Sequence, residues 1–232
     1  MKQNMIIGVA NGGKKMKSAI ITVEYIDHMG DDKAIVDAAR VSFDQDEHWV
    51  PELDERDNGL LKYLASHDHW SPFAHTSIKL KCKAPLFIAR QLVKHQVGGV
   101  WNEVSRRYVD TEPEFWFPEY FRHRPDNMKQ GSIDEPIQHS MVAMDIAHRN
   151  TKACLENYNA MLEMGVAPEQ ARMNLPLNSM TDWYWTGSLL FWARVCKLRL
   201  DPHAQAEAQE FANLVAHYCK KLFPVSWGEL IK

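Results

Sequence analysis

The sequence predicts an α+β fold in which an antiparallel or mixed sheet packs with long helices. Three observations predict it: strand-like segments come early, helical periodicity dominates the later chain, and few β-α-β alternations join them. Ala19 to Tyr25 is β-branched and apolar, which predicts a first strand. Asp32 to Val41 sets Ile35, Ala38 and Ala39 at helical spacing, and Leu53 to Ser66 does the same with Leu60, Leu61 and Leu64. His75 to Lys83 then alternates. Ile78, Leu80 and Cys82 fall on one side and Lys79, Lys81 and Lys83 on the other, the pattern of a half-buried strand.

Pro85 suits the first turn of a helix over Leu86 to Gln96, which Gly98-Gly99 would stop. A short extended piece is expected to carry Glu103 to Tyr108. Thr111 to Gln130 is rich in aromatics, proline and charge, and reads as an ordered loop or lid. Ser132-x-x-Glu135 with Pro136 has the form of a helix start. Ile137, Met141, Met144, Ala147, Leu155, Tyr158 and Leu162 then make one stripe of a helix of about 30 residues, closed by Gly165. A short helix over Pro168 to Met173 follows. Trp183-Tyr184-Trp185 leads into a helix ending near Arg199, and Asp201-Pro202 is expected to cap the last long helix, towards Phe223.

The chain of 232 residues has room for one large domain or two small ones. We read residues 1–17, with four lysines and Asn11-Gly12-Gly13, as a leader extension with an alternative start at Met16. Residues 18–232 are expected to form a single α+β catalytic domain. Lys and Arg number 27 against 30 Asp and Glu, a net charge of −3 that gives no field for a nucleic-acid polymer. No apolar run reaches the roughly 18 residues of a membrane span, and no signal-peptide pattern opens the chain. Cys82, Cys154, Cys196 and Cys219 stand far apart without a C-x-x-C pair, so structural zinc and a disulfide scaffold are poor readings. The expected compartment is the reducing cytoplasm.

Three constellations could carry chemistry. The first is His67-Asp68-His69-Trp70-Ser71-Pro72-Phe73-Ala74-His75, which reads as a polar turn, a metal site on paired imidazoles, or a contact to an organic cofactor. The second joins Arg90, Gln91 and Lys94 to Ser105 and Arg107. On a helix, Arg90 and Lys94 share a face and suit a phosphate or pyrophosphate. On extended backbone, Ser105 and Arg107 point the same way, a hydroxyl and a guanidinium for an anion. A solvated basic surface is the plainer alternative. The third holds Arg172 before a proline-broken helix and Arg199 at a helix end, where a cation also simply complements the helix dipole.

Together these segments resemble the flavin-dependent thymidylate synthases, over roughly Asp27 to Gln209. The resemblance is carried by Ala38-Ala39-Arg40-Val41-Ser42-Phe43, His69-x-Ser71-Pro72-Phe73-x-His75, Lys83-Ala84-Pro85 and Ala89-Arg90-Gln91. It continues through Asn102-Glu103-x-Ser105-x-Arg107-Tyr108, Ala171-Arg172-x-x-Leu175-Pro176-Leu177-Asn178 and Leu198-Arg199-x-Asp201-x-His203-Ala204-Gln205. The chain departs from that family's pattern in two places. Lys94-His95-Gln96 stands where the family has Arg-His-Arg, and one extra residue lies in the Val97 to Trp101 bulge before Ser105-Arg106-Arg107. Ser188-Leu189-Leu190 replaces an Asn-x-Arg, and Arg194 replaces a following Asn.

The resemblance implies FAD, NADPH as reductant, 5,10-methylenetetrahydrofolate as one-carbon donor and 2′-deoxyuridine 5′-monophosphate (dUMP) as acceptor. It implies dUMP contacts from Arg90, Gln91, Glu103, Ser105, Arg106, Arg107, Arg172 and Arg199. It implies FAD contacts from His69, Ser71, Lys94, His95, Gln96, Glu103, Ser188, Arg194 and His203, with no metal. It also implies a homotetramer with shared active sites, Arg172 reaching the phosphate from a neighbouring subunit. Forming a bond at uracil C5 requires that carbon to be nucleophilic. No cysteine sits in a motif suggesting an activated thiolate, and Cys82 falls on the apolar side of a strand. The electrostatic route uses a guanidinium that favours ionisation at N3, and the resemblance gives that role, and the catalytic assignment, to Arg199. Three rivals stay open: a flavoenzyme modifying C5 of another pyrimidine nucleotide, a metal hydrolase on His67, His69 and His75, and an inactive nucleotide-binding relative.

Overall fold

A computed structural model describes residues 16–43, 52–109, 111–126 and 131–232. Most of the expected leader therefore lies outside the described residues. The chain opens with β1 (Thr22–Met29), α1 (Asp32–Arg40), α2 (Glu55–Ser66) and the single turn α3 (Ser71–Ala74). β2 (Ser77–Pro85), α4 (Leu86–Leu92), β3 (Gly99–Glu103), β4 (Arg122–His123) and β5 (Ile133–Pro136) follow. The later chain is mostly helical: α5 (Ser140–Glu163), α6 (Pro168–Ala171), β6 (Met180–Gly187), α7 (Leu189–Arg199), α8 (Ala206–Leu222) and α9 (Pro224–Leu230). One sheet has the order β1-β2-β6-β3, and β4 pairs antiparallel with β5. The α+β class with mixed sheets and long helices is the observed one.

Several elements differ from expectation. The helix from Leu86 stops at Leu92, because the His95 N–H donates to the Leu92 carbonyl at 3.0 Å in a tight three-residue closure. The segment expected to start a helix at Ser132 is instead strand β5. Ser132 Oγ accepts from Arg122 Nε at 2.7 Å, and α5 begins only at Ser140. Its 24 residues are fewer than expected, though Gly165 does follow in the left-handed conformation at φ +85°. Trp183-Tyr184-Trp185 belongs to a strand, with Thr181, Trp183, Trp185 and Gly187 buried in alternation. The first strand begins later than Ala19, whose N–H is taken by the Phe115 carbonyl at 2.8 Å. The last long helix starts at Ala206, because Asp201 Oδ1 accepts the His203 N–H at 2.7 Å in a turn of its own.

The described chain divides into two compact units. The first holds residues up to Ile21, then Lys83–Gln91 and Glu103–Trp183. Phe115, Phe117 and Met144 form its buried cluster, with Met16, Phe121, Ala147 and Leu155 packed around them. Polar joints pin the loop before β4: Asn178 Nδ2 donates to the Trp116 carbonyl at 3.0 Å, and Ser18 Oγ bonds both polar groups of the Phe117 backbone.

The second unit holds Thr22–Cys82, Leu92–Asn102 and Tyr184–Lys232. Its core is aromatic. Trp185 meets Trp101 and Trp192 edge to face at centroid distances of 4.9 and 5.0 Å, and Trp192 Nε1 donates to the Ile78 carbonyl at 3.2 Å. Phe191 packs so closely that a Cβ at Gly187 would lie 2.1 Å from its ring, and one at Gly99 2.5 Å. That ring is buried and cannot swing aside. Gly187→Ala is therefore expected to lower unfolding free energy by about 1–3 kcal/mol through overpacking. Urea denaturation checks it, and an unchanged midpoint would contradict the packing described.

α9 carries no side-chain cap of its own. Its uncapped N–H groups are met by Asp32, whose Oδ2 and Oδ1 accept from Val225 and Ser226, each at 2.9 Å. Asp32 is also in the first turn of α1, where Asp31 provides the N-cap. One buried carboxylate thus serves the positive ends of two helices.

Candidate active site

The site residues of the first unit lie on α4, at the end of β3, in the turn after it and, for Arg172, at the end of α6. The first two amide groups of α4, Leu86 and Phe87, donate to the carbonyls of Ser179 and Leu177. Ile88 and Ala89 are buried, which leaves Arg90 exposed at the helix end with Gln91 half-buried behind it. Glu103 ends β3, and its carboxylate accepts from Thr181 Oγ1 at 2.6 Å. Thr181 is buried, so the bond holds Glu103 from a rigid strand.

Ser105 to Tyr108 form a turn and not the expected extended piece, closed by the Tyr108 N–H on the Ser105 carbonyl at 3.1 Å. The anticipated pairing survives for another reason. Ser105 Oγ accepts from Arg107 Nε at 3.0 Å and from the Arg107 backbone at 3.3 Å. The hydroxyl keeps its own proton to donate, and the bond takes Nε of the guanidinium, not its terminal pair. The Arg107 Cζ also lies 4.9 Å over the Tyr108 ring. A serine hydroxyl beside an oriented guanidinium is suited to an anion such as phosphate. Arg106 points elsewhere, bonding the Thr111 carbonyl through Nη1. Arg172 is exposed, with Nε on the Glu169 carbonyl at 3.2 Å.

The second unit holds the other group. α2 ends in a reversal at Asp68, a non-glycine residue at φ +54°, and α3 begins at Ser71. Tyr63 stacks on His67 at 4.1 Å and meets the edge of His69 at 5.6 Å, while Trp70 is exposed. Lys94, His95 and Gln96 lie in the turn after α4. Lys94 is consequently not on a helical face with Arg90, as its spacing suggested. Ser188 caps α7, accepting from the Phe191 N–H at 3.2 Å. Arg194 is exposed on that helix and His203 on the turn beyond it. Arg199 is the last residue of α7, and its Nε donates to His95 Nε2 at 3.1 Å. Burial first, and the Arg199 charge second, hold the His95 imidazole below its ordinary value of 6.5. Burial also lowers Arg199 from its usual value.

The histidine turn is a weak metal site. His67 and His69 have ring centroids 6.4 Å apart, and among the described residues no group of three His, Cys, Asp or Glu could hold a metal ion. By residue type alone, the second unit carries groups that would suit a flavin dinucleotide. Lys94 and Arg194 are exposed cations suited to its diphosphate, and the Tyr63, His67, His69 and Trp70 rings are planar groups suited to its ring system. Two partnerships lie beyond what the sequence alone indicates. Thr181 could have been suspected from the alternation of β6, but nothing local marks His95 and Arg199, 104 positions apart, as neighbours.

Residues 24–225 match the model of the family described as thymidylate synthase complementing protein. A flavin-dependent thymidylate synthase of Thermus thermophilus is 40% identical over 206 residues, covering 89% of this chain and 74% of the relative. That of Thermosipho africanus is 37% identical over 210 residues and 89% of both chains. Among solved structures, the UMP/dUMP methylase PolB of Streptomyces cacaoi bound with 5-Br dUMP superposes with a TM-score of 0.81 at 28% identity, covering 91% of this chain and 95% of PolB. These likenesses define the class, an enzyme of nucleotide biosynthesis. The chain belongs to the family of flavin-dependent thymidylate synthases.

Proposed function

We propose that the chain methylates dUMP to dTMP reductively, with FAD, NADPH and 5,10-methylenetetrahydrofolate, and without a cysteine nucleophile. The observation that carries the reading is Arg199, a half-buried guanidinium held at the end of α7. The three buried thiols offer no substitute: burial pushes Cys196 up to about 12, and raises Cys82 and Cys219 as well. Bound flavin supplies the hydride chemistry. The protein's own residues do the rest. Ser105 and Arg107 bind the nucleotide phosphate, with Arg90, Gln91 and Glu103 contributing further polar contacts. Arg199 faces the uracil edge, favours negative charge on N3, and shifts electron density towards C5. The same reading makes the enzyme a cytoplasmic homotetramer with shared sites, Arg172 serving a neighbouring subunit's nucleotide. No helix among the described residues is long and apolar enough to cross a membrane.

A second reading, the same chemistry on another pyrimidine nucleotide, is favoured by the likeness to PolB, whose bound ligands are 5-Br dUMP and 5-Br UMP. The first experiment is a visible spectrum of purified protein after FAD addition and gel filtration, followed by product analysis with dUMP, UMP and dCMP. We expect about one flavin per chain and product from dUMP. Product from UMP or dCMP alone selects the second reading, and no retained flavin even with dUMP present overturns both.

A further inference from the structure

We propose that His95 is a positioning residue, a neutral imidazole that fixes the Arg199 guanidinium by accepting a hydrogen bond from its Nε. The inference rests on the role proposed for Arg199, and assigns His95 to Arg199 in place of the FAD contact that resemblance gives it. Arginine Nε always carries its hydrogen, so at 3.1 Å His95 Nε2 must be the acceptor and the imidazole proton must sit on Nδ1. An imidazolium could not accept this bond, and would place two cations together. Burial and the neighbouring guanidinium both favour the neutral ring.

The choice of Nε matters. An arginine side chain has about 2 kcal/mol of rotamer freedom, and an anchor at Nε restrains the plane of the group without using its terminal amino groups. The turn that ends α4 sets the anchor in place, since the His95 amide is tied to the Leu92 carbonyl. Leu92 is fully buried, so the imidazole stands on a fixed base. Helix α7 supplies Arg199 from its last residue, next to the buried Val195 and Cys196. Two independently anchored backbones therefore meet in one bond. The neighbouring substitutions, Lys94 and Gln96, change the cations of this turn and keep the imidazole.

Two substitutions separate acceptor from shape. His95→Gln keeps an acceptor oxygen at similar reach, whereas His95→Phe keeps a flat ring with no acceptor. With FAD, NADPH, 5,10-methylenetetrahydrofolate and dUMP, we expect His95→Gln within about threefold of the parent turnover and His95→Phe about a hundredfold down, the scale of a misplaced catalytic group. Flavin retention should be equal in all three proteins, and His95→Phe should add no loss in an Arg199→Ala background. Loss of flavin in step with turnover would overturn the proposal, because His95 would then serve the cofactor. Normal turnover in His95→Phe, with Arg199→Ala inactive, would overturn it while leaving the function intact. A nitrogen-15 spectrum of the Arg199 Nε–H, without substrate, decides the contact even if dUMP proves not to be the substrate. A signal shifted in His95→Phe and retained in His95→Gln supports the bond, and one unmoved by either overturns it.

Discussion

Arg199→Ala is expected to lower dTMP formation by about three orders of magnitude, the scale seen when a preorganised donor to developing charge is removed. Charge sets the size of the effect. A guanidinium is cationic at any working pH, so it can stabilise an anionic uracil but cannot act as a base. Burial around Arg199 raises the strength of that interaction above its value in water. Arg199→Lys should recover only part of the loss, because the charge returns without the planar fork or the Nε bond to His95. Release of tritium from C5 of labelled dUMP measures the step, with flavin absorbance confirming that the cofactor is retained. Near-normal turnover in the alanine variant would sink the catalytic assignment.

Asp32→Ala is expected to destabilise the protein by about 2–4 kcal/mol, since it strands two amide donors, each costing roughly 1–3 kcal/mol when buried without a partner. The donors are the Val225 and Ser226 N–H groups of α9, which has no cap of its own. Asp32→Asn keeps one acceptor oxygen but loses the charge, and should fall between the two. Urea unfolding with constant slope gives the difference directly. An alanine variant as stable as the parent would mean that water satisfies α9 equally well.

How much of this is legible depends on whether a signal is local. The alternation of Ile78, Leu80 and Cys82 marks β2, and all three side chains are fully buried. The helical spacing of Leu61 and Leu64 marks α2 in the same way. Met180–Gly187 carries an equally clear alternation, but its tryptophans also suit a preface to the next helix. The Ser132-x-x-Glu135 pattern misleads because a capping motif states only what a serine can do. Here Arg122 takes the hydroxyl, and the segment pairs with β4. Arg90 and Lys94 fail as a helical pair because Gly98-Gly99 is the visible stop, whereas the closure at His95 comes earlier. Ser105 and Arg107 are rightly coupled on a wrong backbone, since residues two apart also meet across a tight turn. Arg199 stands out by resemblance, and its partner cannot, because no periodicity encodes a contact across 104 positions.

The second unit is assembled from three separated stretches of chain, and the Asp32 bond to Ser226 spans 194 positions. Closing such loops must precede the contacts that reward them, so topology places a large entropic barrier ahead of the native state. Helices α1 and α2 can form soon after they are synthesised, but neither can reach α9, on which both pack, until most of the chain exists. During that interval their apolar faces, including Ile35, Val36, Leu61 and Leu64, lack the partners that later cover them. A newly made chain is therefore exposed to aggregation for as long as its early helices wait, and its dependence on chaperones should track the speed of elongation.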